Sequence, residues 1–156
     1  MGKLLQNRVW RFHVFVFVFV FVLLATREMT LRADGRLHVY FLDVSQGDST
    51  LLVSPSGKQV LIDGGPDQAS LEHLGNLMPF FDRTIELLVL THPDSDHVSS
   101  LAGVLKRYRV ERVLLTGVQH DLGRYEAMLF ELTDRQIPLL LPDPSQDIDL
   151  GDGLVL

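Results

Sequence analysis

The sequence predicts an α/β fold, preceded by a separate hydrophobic segment at the N-terminus. From Leu37 onward, short runs of apolar and β-branched residues alternate with stretches whose apolar residues recur at helical spacing. Turns that contain glycine or proline separate these runs. Strands that alternate with helices along one chain are typical of α/β domains.

The first predicted elements form a small antiparallel meander. Leu37–Asp43 and Ser49–Ser54 are predicted strands, and the turn Pro55–Lys58 returns the chain into a third strand, Gln59–Ile62. Five further elements are predicted in chain order: a helix at Ser70–Phe80, a strand at Glu86–Leu90, a helix from Val98 to Tyr108, a strand at Arg112–Thr116 and a helix from Tyr125 to Leu132.

Composition and charge limit the function. The length of 156 residues allows one domain with one substantial core. The absence of cysteine excludes disulfides and thiolate metal sites. Residues 1–36 contain six basic and two acidic residues, whereas residues 37–156 contain eight basic and eighteen acidic residues. The acidic second part is a poor candidate for binding nucleic acid through a basic groove, so a phosphodiester substrate would require bound cations.

Residues 1–36 form a basic N-terminus with an apolar segment. Val14–Ala25 is an unbroken apolar run, and residues 9–25 extend it to a length that is marginal for a membrane-spanning helix. A membrane anchor, a cleaved signal peptide and a buried strand with alternating Phe and Val are the three interpretations. Basic residues before the run favour an N-terminus in the cytoplasm. We expect a membrane protein whose globular domain lies outside the cytoplasm, or else a secreted or periplasmic protein.

The segment Thr91–His97 places two histidines and two aspartates directly after an apolar strand. Imidazole nitrogen and carboxylate oxygen are ligands that suit zinc, manganese or iron, and a short loop can direct several of them to one small volume. The candidate ligands are His92, Asp94, Asp96 and His97. The alternative is ordinary loop chemistry, in which an aspartate caps the helix that follows.

Other polar residues have structural interpretations. Asp63 ends a strand before two glycines, where its carboxylate can bond the backbone of a turn. Asp43 and Asp48 flank a glycine-containing turn, and an Asx turn is the expected role of Asp43. His120 follows a strand end and is a further candidate for the site. The Asp-rich segment Asp143–Asp152 is expected to form turns between short strands and to bind no metal.

Three segments, taken in order, resemble the metallo-beta-lactamase superfamily, and most closely the C-terminal domain of the ComEC/Rec2 family of bacterial DNA-uptake membrane proteins. They are Phe41–Ser49, Val60–Gly65 and the His92 loop. The superfamily pattern is His-x-His-x-Asp-His, whereas this chain has the His-x-Asp-x-Asp-His form that the DNA-uptake branch commonly carries. Ser45 also departs from that family, which usually has glycine there.

The resemblance implies the fold, the metals and the ligands. Residues 37–156 are expected to be the N-terminal part of an αββα sandwich, incomplete at the C-terminus. Two divalent ions, zinc or manganese, are implied, with the oxygen-rich site moving the preference toward manganese. His92 and Asp94 would hold one ion, and Asp96 and His97 would hold the other.

The resemblance also implies further roles and a function. Asp96 would orient the attacking water, and Asp63 would support the ligands without binding metal. Asp48 would lie in a loop near the site. The implied activity is metal-dependent hydrolysis of a phosphodiester, linked to DNA uptake, with DNA, the membrane and a transmembrane channel as partners. The alternatives are a membrane-associated hydrolase of a small ester or lactone, and a non-catalytic remnant or structural module of an uptake apparatus.

Overall fold

The computed structural model describes residues 2–118 and 123–156, with side chains from residue 8 onward. The chain divides into two compact units, Met1–Arg32 and Ala33–Leu156. His120, the additional ligand candidate from the sequence, lies outside the described residues.

The first unit is one helix, α1 (Gly2–Thr30). Its Phe-Val alternation does not form a strand, because a helix satisfies its backbone groups internally whereas an isolated strand cannot. The part at Arg8–Thr30 has 23 residues, and its most apolar 18-residue stretch has a mean hydropathy of 2.2 and is not buried by protein. At the helical rise these residues extend about 35 Å, compared with the roughly 30 Å hydrocarbon core of a bilayer. By length and composition, α1 can cross a membrane.

Strands form the framework of the second unit. In its described residues they are β1 (His38–Phe41), β2 (Thr50–Val53), β3 (Gln59–Ile62), β4 (Thr84–Ile85), β5 (Leu87–Leu90), β6 (Arg109–Val110), β7 (Val113–Leu115) and β8 (Leu139–Leu140). A six-stranded sheet has the order β1-β2-β3-β5-β7-β8, and β4 pairs with β6 in a separate two-stranded sheet. The predicted meander is confirmed, because β1, β2 and β3 pair antiparallel. The other pairs are parallel.

Four helices accompany these strands in the described part of the second unit. They are α2 (Ala69–Leu77), α3 (Ser95–Val98), α4 (Leu101–Arg107) and α5 (Gly123–Asp134). The prediction of one helix from Val98 to Tyr108 was wrong, because the helix begins earlier and is interrupted at Ser100. The buried Ser100 hydroxyl donates a hydrogen bond to the Gly64 carbonyl at 2.6 Å and accepts one from Ser70 at 2.8 Å. These tertiary bonds hold Ser100 between α3 and α4.

The core lies between the six-stranded sheet and the helices. Its fully buried members include Leu61 and Leu88 from the sheet, Leu74 from α2, Leu105 from α4 and Met128 from α5. This arrangement confirms the α/β fold class. On the other face of the sheet, a smaller cluster of Val60, Leu87 and Leu150 packs under the C-terminal segment.

The sheet topology places the predicted site at one edge. Ile62 of β3 is paired with Val89 of β5, and the Asp63 amide donates a hydrogen bond to the Val89 carbonyl at 2.9 Å. Parallel strands end at the same edge of a sheet. The residue after β3, Asp63, therefore lies beside the residue after β5, Thr91, where the histidine-containing loop begins.

Candidate metal centre

The loop after β5 leads directly into α3, which begins at Ser95. Asp94 is the residue before this helix, but its carboxylate makes no capping hydrogen bond to the first turn. Asp96 and His97 lie within α3. The capping interpretation of Asp94 is therefore wrong in the described structure, and the loop needs another explanation for its carboxylates.

Asp63 is the buried anchor of this edge. Its side chain is only 4% exposed, and its backbone has a left-handed φ of 56°. The carboxylate accepts three hydrogen bonds: from the Thr91 amide at 2.9 Å, from the Thr91 hydroxyl at 2.6 Å and from His97 Nδ1 at 2.9 Å. A buried carboxylate needs such partners because its desolvation is costly. Both of its oxygens are thus engaged in fixing other residues.

These bonds determine which nitrogen each histidine presents. The Thr91 hydroxyl donates its hydrogen to Asp63, so it can only accept from His92 Nδ1, which lies 2.9 Å away. His97 Nδ1 donates to Asp63 directly. Both Nδ1 atoms therefore carry a proton, so a neutral imidazole at either position presents its lone pair on Nε2. Fixing the tautomer in this way is how metal-binding histidines are oriented.

Each Nε2 atom lies next to one carboxylate. His92 Nε2 is 3.6 Å from Asp94 Oδ2, and His97 Nε2 is 3.9 Å from Asp96 Oδ2. The two imidazole rings are also close, with centroids 3.8 Å apart. The structure thus places the two imidazoles side by side, with one of the candidate carboxylates near each of them.

The donor set fits divalent cations. Donor atoms of Asp63, His92 and His97 lie within 4.8 Å of one another. His97 is nearly buried, while the side chains of His92 and Asp94 are 46% and 58% exposed. Neutral imidazoles with free Nε2 atoms, flanked by carboxylates, suit zinc or manganese. Asp63 belongs to this group of donors, and its three hydrogen bonds also fix the positions of Thr91 and His97.

The loop between β1 and β2 packs against the metal-ligand segment. A Cβ atom at Gly47 would overlap the backbone oxygen of Asp96, so the loop touches α3 at this point. Asp48, the neighbouring candidate, is exposed. Asp43 forms the expected Asx turn, since its carboxylate accepts a hydrogen bond from the Ser45 amide at 3.3 Å. The same loop is held from α2, because His73 Nε2 lies 2.9 Å from the Asp43 carbonyl.

The backbone conformation at Ser45 explains why the related family usually has glycine at this position. This residue has a φ of 64°, in the left-handed region that glycine adopts without strain. The glycine usual in the related family is thus suited to this position, and serine adopts it at some energetic cost.

Three residues of this edge were not among the site residues predicted from the sequence. Thr91 links His92 to Asp63, and its only sequence signal is a hydroxyl between the strand end and the first histidine. Gly47 allows the close approach of its loop to Asp96. Arg124, at the start of α5, donates hydrogen bonds to Ser99 and to the carbonyl of Pro66. Their roles depend on which segments meet in space.

The chain is similar to a bacterial recombination protein and to solved proteins with the metallo-beta-lactamase fold. Recombination protein 2 of Haemophilus influenzae is 37% identical over 75 residues, which are 43% of this chain and 9% of that protein. A solved metallo-beta-lactamase from Cronobacter sakazakii aligns with 72% of this chain and 47% of its own, with a TM-score of 0.50 and 22% identity. A metallo-beta-lactamase fold protein from Bacillus subtilis covers 75% of this chain and 48% of its own, with a TM-score of 0.46 and 14% identity.

The chain therefore spans a small part of its curated relative and about half of each solved structure. The Cronobacter structure supports the fold alone. The family model of the metallo-beta-lactamase superfamily matches residues 42–155, which include all of the candidate ligands and Asp63. By this match, together with the fold and the paired imidazoles and carboxylates, the chain belongs to the metallo-beta-lactamase superfamily.

Proposed function

We propose that this protein is a metal-dependent hydrolase that cleaves phosphodiesters and acts in DNA uptake. The observation that supports this most directly is the fixed orientation of His92 and His97. Their Nδ1 hydrogens are directed to Asp63 or Thr91, and their Nε2 atoms lie beside Asp94 and Asp96. A site prepared in this way is suited to two divalent ions, zinc or manganese.

In this proposal His92 and Asp94 hold one ion, and Asp96 and His97 hold the other. Bound divalent cations supply Lewis acidity, a more acidic water and positive charge near the attacked group. Asp96 orients the attacking water by accepting its hydrogen bond, which its partly exposed carboxylate can do. Asp63 keeps both imidazoles in the tautomer that leaves Nε2 available. Asp48 belongs to the exposed rim that the substrate passes.

The proposed link to DNA uptake rests on two observations. The curated relative is named a recombination protein, and three sequence segments resemble a family of proteins that take up DNA across membranes. The chain's apolar helix at Arg8–Thr30 is long enough to cross a bilayer. We propose that residues 1–36 anchor the protein in the membrane and that the hydrolase domain from residue 37 lies outside the cytoplasm, where DNA and a transmembrane channel would be its partners.

The first experiment is to measure metal binding and hydrolysis with the full chain in detergent. Bis(p-nitrophenyl) phosphate represents a phosphodiester, and p-nitrophenyl acetate represents a small ester. We expect diester hydrolysis that is lost with EDTA and restored by Mn²⁺ or Zn²⁺. His92→Ala should abolish it, while Asp152→Asn, which is remote from the ligands in the sheet, should leave it unchanged.

Three outcomes would change or contradict the proposal. Hydrolysis of the ester without the diester would identify the protein as a hydrolase of small esters or lactones. Metal binding measured by calorimetry, with no turnover of either substrate, would favour a non-catalytic module. Removal of the metal by EDTA without loss of diester hydrolysis would contradict a metal-dependent mechanism altogether.

A further inference from the structure

Arg124 lies beside the candidate metal centre and is anchored to the two segments that build it. Its Nη1 atom donates a hydrogen bond to the Ser99 hydroxyl at 2.6 Å and another to the Pro66 carbonyl at 3.3 Å. Ser99 follows α3, which contains Asp96 and His97, and Pro66 follows the segment that begins with Asp63. Arg124 thus sits at a fixed place on the rim of the site.

The remaining donors of this guanidinium are available to a ligand. An arginine side chain has five N–H donors in a rigid planar arrangement that matches phosphate oxygens. The two hydrogen bonds that hold Arg124 both use Nη1, and among the described residues Nε and Nη2 have no hydrogen-bond partner. The side chain is exposed, so these donors face solvent.

The residues around the site are acidic, so a nearby cation would help the site to bind an anionic substrate. The segments that surround it contain the acidic residues Asp43, Asp48, Asp63, Asp67, Asp94 and Asp96. A polyanionic substrate would be repelled by these carboxylates wherever no metal ion neutralises them. A fixed guanidinium at the rim offsets this repulsion at one point and gives the approaching anion a defined position.

The position of Arg124 is beside the ligand cluster and not within it. At about 100° of rotation per helical residue, Ser99 points nearly opposite to His97 but lies on the same helix face as Asp96, three positions earlier, so the anchor of Arg124 is on the Asp96 side of the site. A nucleic-acid strand carries a phosphate on every nucleotide. A strand with one phosphate at the metal ligands therefore offers a flanking phosphate to a cation at the rim.

We propose that Arg124 binds a phosphate that flanks the cleaved one, so that the site favours a nucleic-acid strand over a small diester. This inference rests on the proposed phosphodiesterase function. Arg124 is then a specificity residue, and it contributes to substrate binding more than to the chemical step.

The test compares a single-stranded oligonucleotide with bis(p-nitrophenyl) phosphate as substrates of the full chain loaded with Mn²⁺. Arg124→Gln should raise KM for the oligonucleotide by about tenfold or more, because the variant loses a charge-assisted hydrogen bond to the substrate. Its kcat/KM for the small diester should stay within about twofold of the wild type, because that substrate has no flanking phosphate.

A binding measurement provides a readout that is independent of turnover. Fluorescence anisotropy with a hydrolysis-resistant phosphorothioate oligonucleotide gives the affinity at several salt concentrations. Loss of one phosphate contact should reduce the slope of log K against log salt by about 0.7. Arg109→Gln is the matched control, because it removes the same charge from a side chain that is 80% exposed and lies on β6. It should change neither the slope nor KM.

Ser99→Ala separates binding from structural support. This variant removes one anchor of Arg124 but keeps the charge, so it should retain most of the oligonucleotide affinity, and Arg124→Lys should retain part of it. An unchanged salt slope in Arg124→Gln would overturn the inference. So would an equal loss of activity on both substrates, or a Ser99→Ala variant as impaired as Arg124→Gln. A wild-type protein that binds the oligonucleotide with the expected slope but hydrolyses neither substrate would overturn the proposed function and leave the phosphate contact standing.

Discussion

Asp63 and Asp152 are two aspartates that collect side-chain hydrogen bonds in different regions of the same domain. Asp63 is buried at the carboxyl edge of the sheet and accepts from Thr91 and His97. Asp152 lies in the C-terminal hairpin, where its carboxylate accepts hydrogen bonds from the hydroxyls of Ser54 and Ser56. Both carboxylates therefore connect segments that are distant in sequence.

The partners distinguish the two regions. The hydrogen bonds of Asp63 end on one imidazole and on a threonine that orients a second imidazole, so their effect is to prepare ligands. The bonds of Asp152 end on serine hydroxyls in the turn after β2, and among the described residues the possible metal-binding group lies elsewhere, at Asp63, His92 and His97. A bonded aspartate thus indicates a functional site only when its partners have chemistry of their own.

The sharpest test of this difference replaces each aspartate by asparagine. Asp63→Asn is expected to weaken binding of Zn²⁺ or Mn²⁺ by about 10- to 100-fold, because the imidazoles lose their orientation. One Asp63 oxygen accepts from the Thr91 amide and the other from the Thr91 hydroxyl and His97, and in asparagine one of these two acceptors becomes an NH2 donor. Asparagine tolerates the left-handed φ of 56°, so the backbone is not the cause. Isothermal titration calorimetry on the full chain measures the affinity.

Asp152→Asn is the matched control for that experiment, and it should leave the metal affinity unchanged. Asp63→Asn should also lower the free energy of unfolding in EDTA by about 1–3 kcal/mol, the usual penalty for leaving a buried donor without its acceptor. Equal metal affinities for wild type and Asp63→Asn would contradict the positioning role.

A second test uses two glycines, one in each region. Gly47 and Gly153 both have left-handed backbones, with φ of 97° and 90°. A Cβ atom at Gly47 would overlap the Asp96 backbone, whereas a Cβ atom at Gly153 meets open space. Gly153→Ala should therefore cost about 1–2 kcal/mol of backbone strain, and Gly47→Ala about 1–3 kcal/mol more from overpacking.

Only Gly47→Ala should also weaken metal binding, because the loop must move away from Asp96 or displace it. Urea unfolding and metal titration of both variants measure these effects. Similar losses of stability in the two variants, with no change in metal affinity, would show that the loop yields without disturbing the ligands.

The local patterns of the sequence were sufficient to predict most of the framework. Alternation of apolar residues located the meander, and the apolar run before Thr91 located β5. The two-residue strands β4, β6 and β8 are too short to produce a periodic pattern. The interruption between α3 and α4 arises from buried hydrogen bonds of Ser100 to residues more than 25 positions earlier, which local spacing cannot indicate.

The candidate site was likewise predicted only in part from the sequence. The four candidate ligands are close together in sequence, so their spacing alone suggested a shared centre. The roles of Thr91, Gly47 and Arg124 depend on contacts between separate segments, and these contacts are set by the register of β3 and β5 and by the packing of α5. Sequence spacing identifies ligands, whereas tertiary contacts identify the residues that orient them.

A third test concerns the amino end of β5, opposite the metal ligands. Burial raises the pKa of Glu86, although the Gln59 amide donates a hydrogen bond to its carboxylate at 2.6 Å. A raised pKa in the folded state means that this group favours folding most below its unfolded pKa of 4.5, and that the contribution is lost as the pH rises through the folded value. Glu86→Gln should therefore give a small increase in Tm at pH 7 and none at pH 3. A Tm at pH 7 below that of the wild type would show that the charged carboxylate is stabilising.

The smallest expected effect belongs to Asp152 and has the opposite sign. Hydrogen bonds from Ser54 and Ser56 lower the pKa of Asp152 from 3.8 to about 2. Its contribution to stability is therefore complete above pH 3.8 and is lost as the pH falls toward 2. Tm values of the full chain between pH 2 and pH 5 should fall less steeply for Asp152→Asn than for the wild type. Ser54→Ala removes one donor and raises the folded pKa of Asp152, so the fall in Tm should be smaller than in the wild type and should end at a higher pH. Parallel curves for all three proteins would show that the half-buried carboxylate contributes nothing.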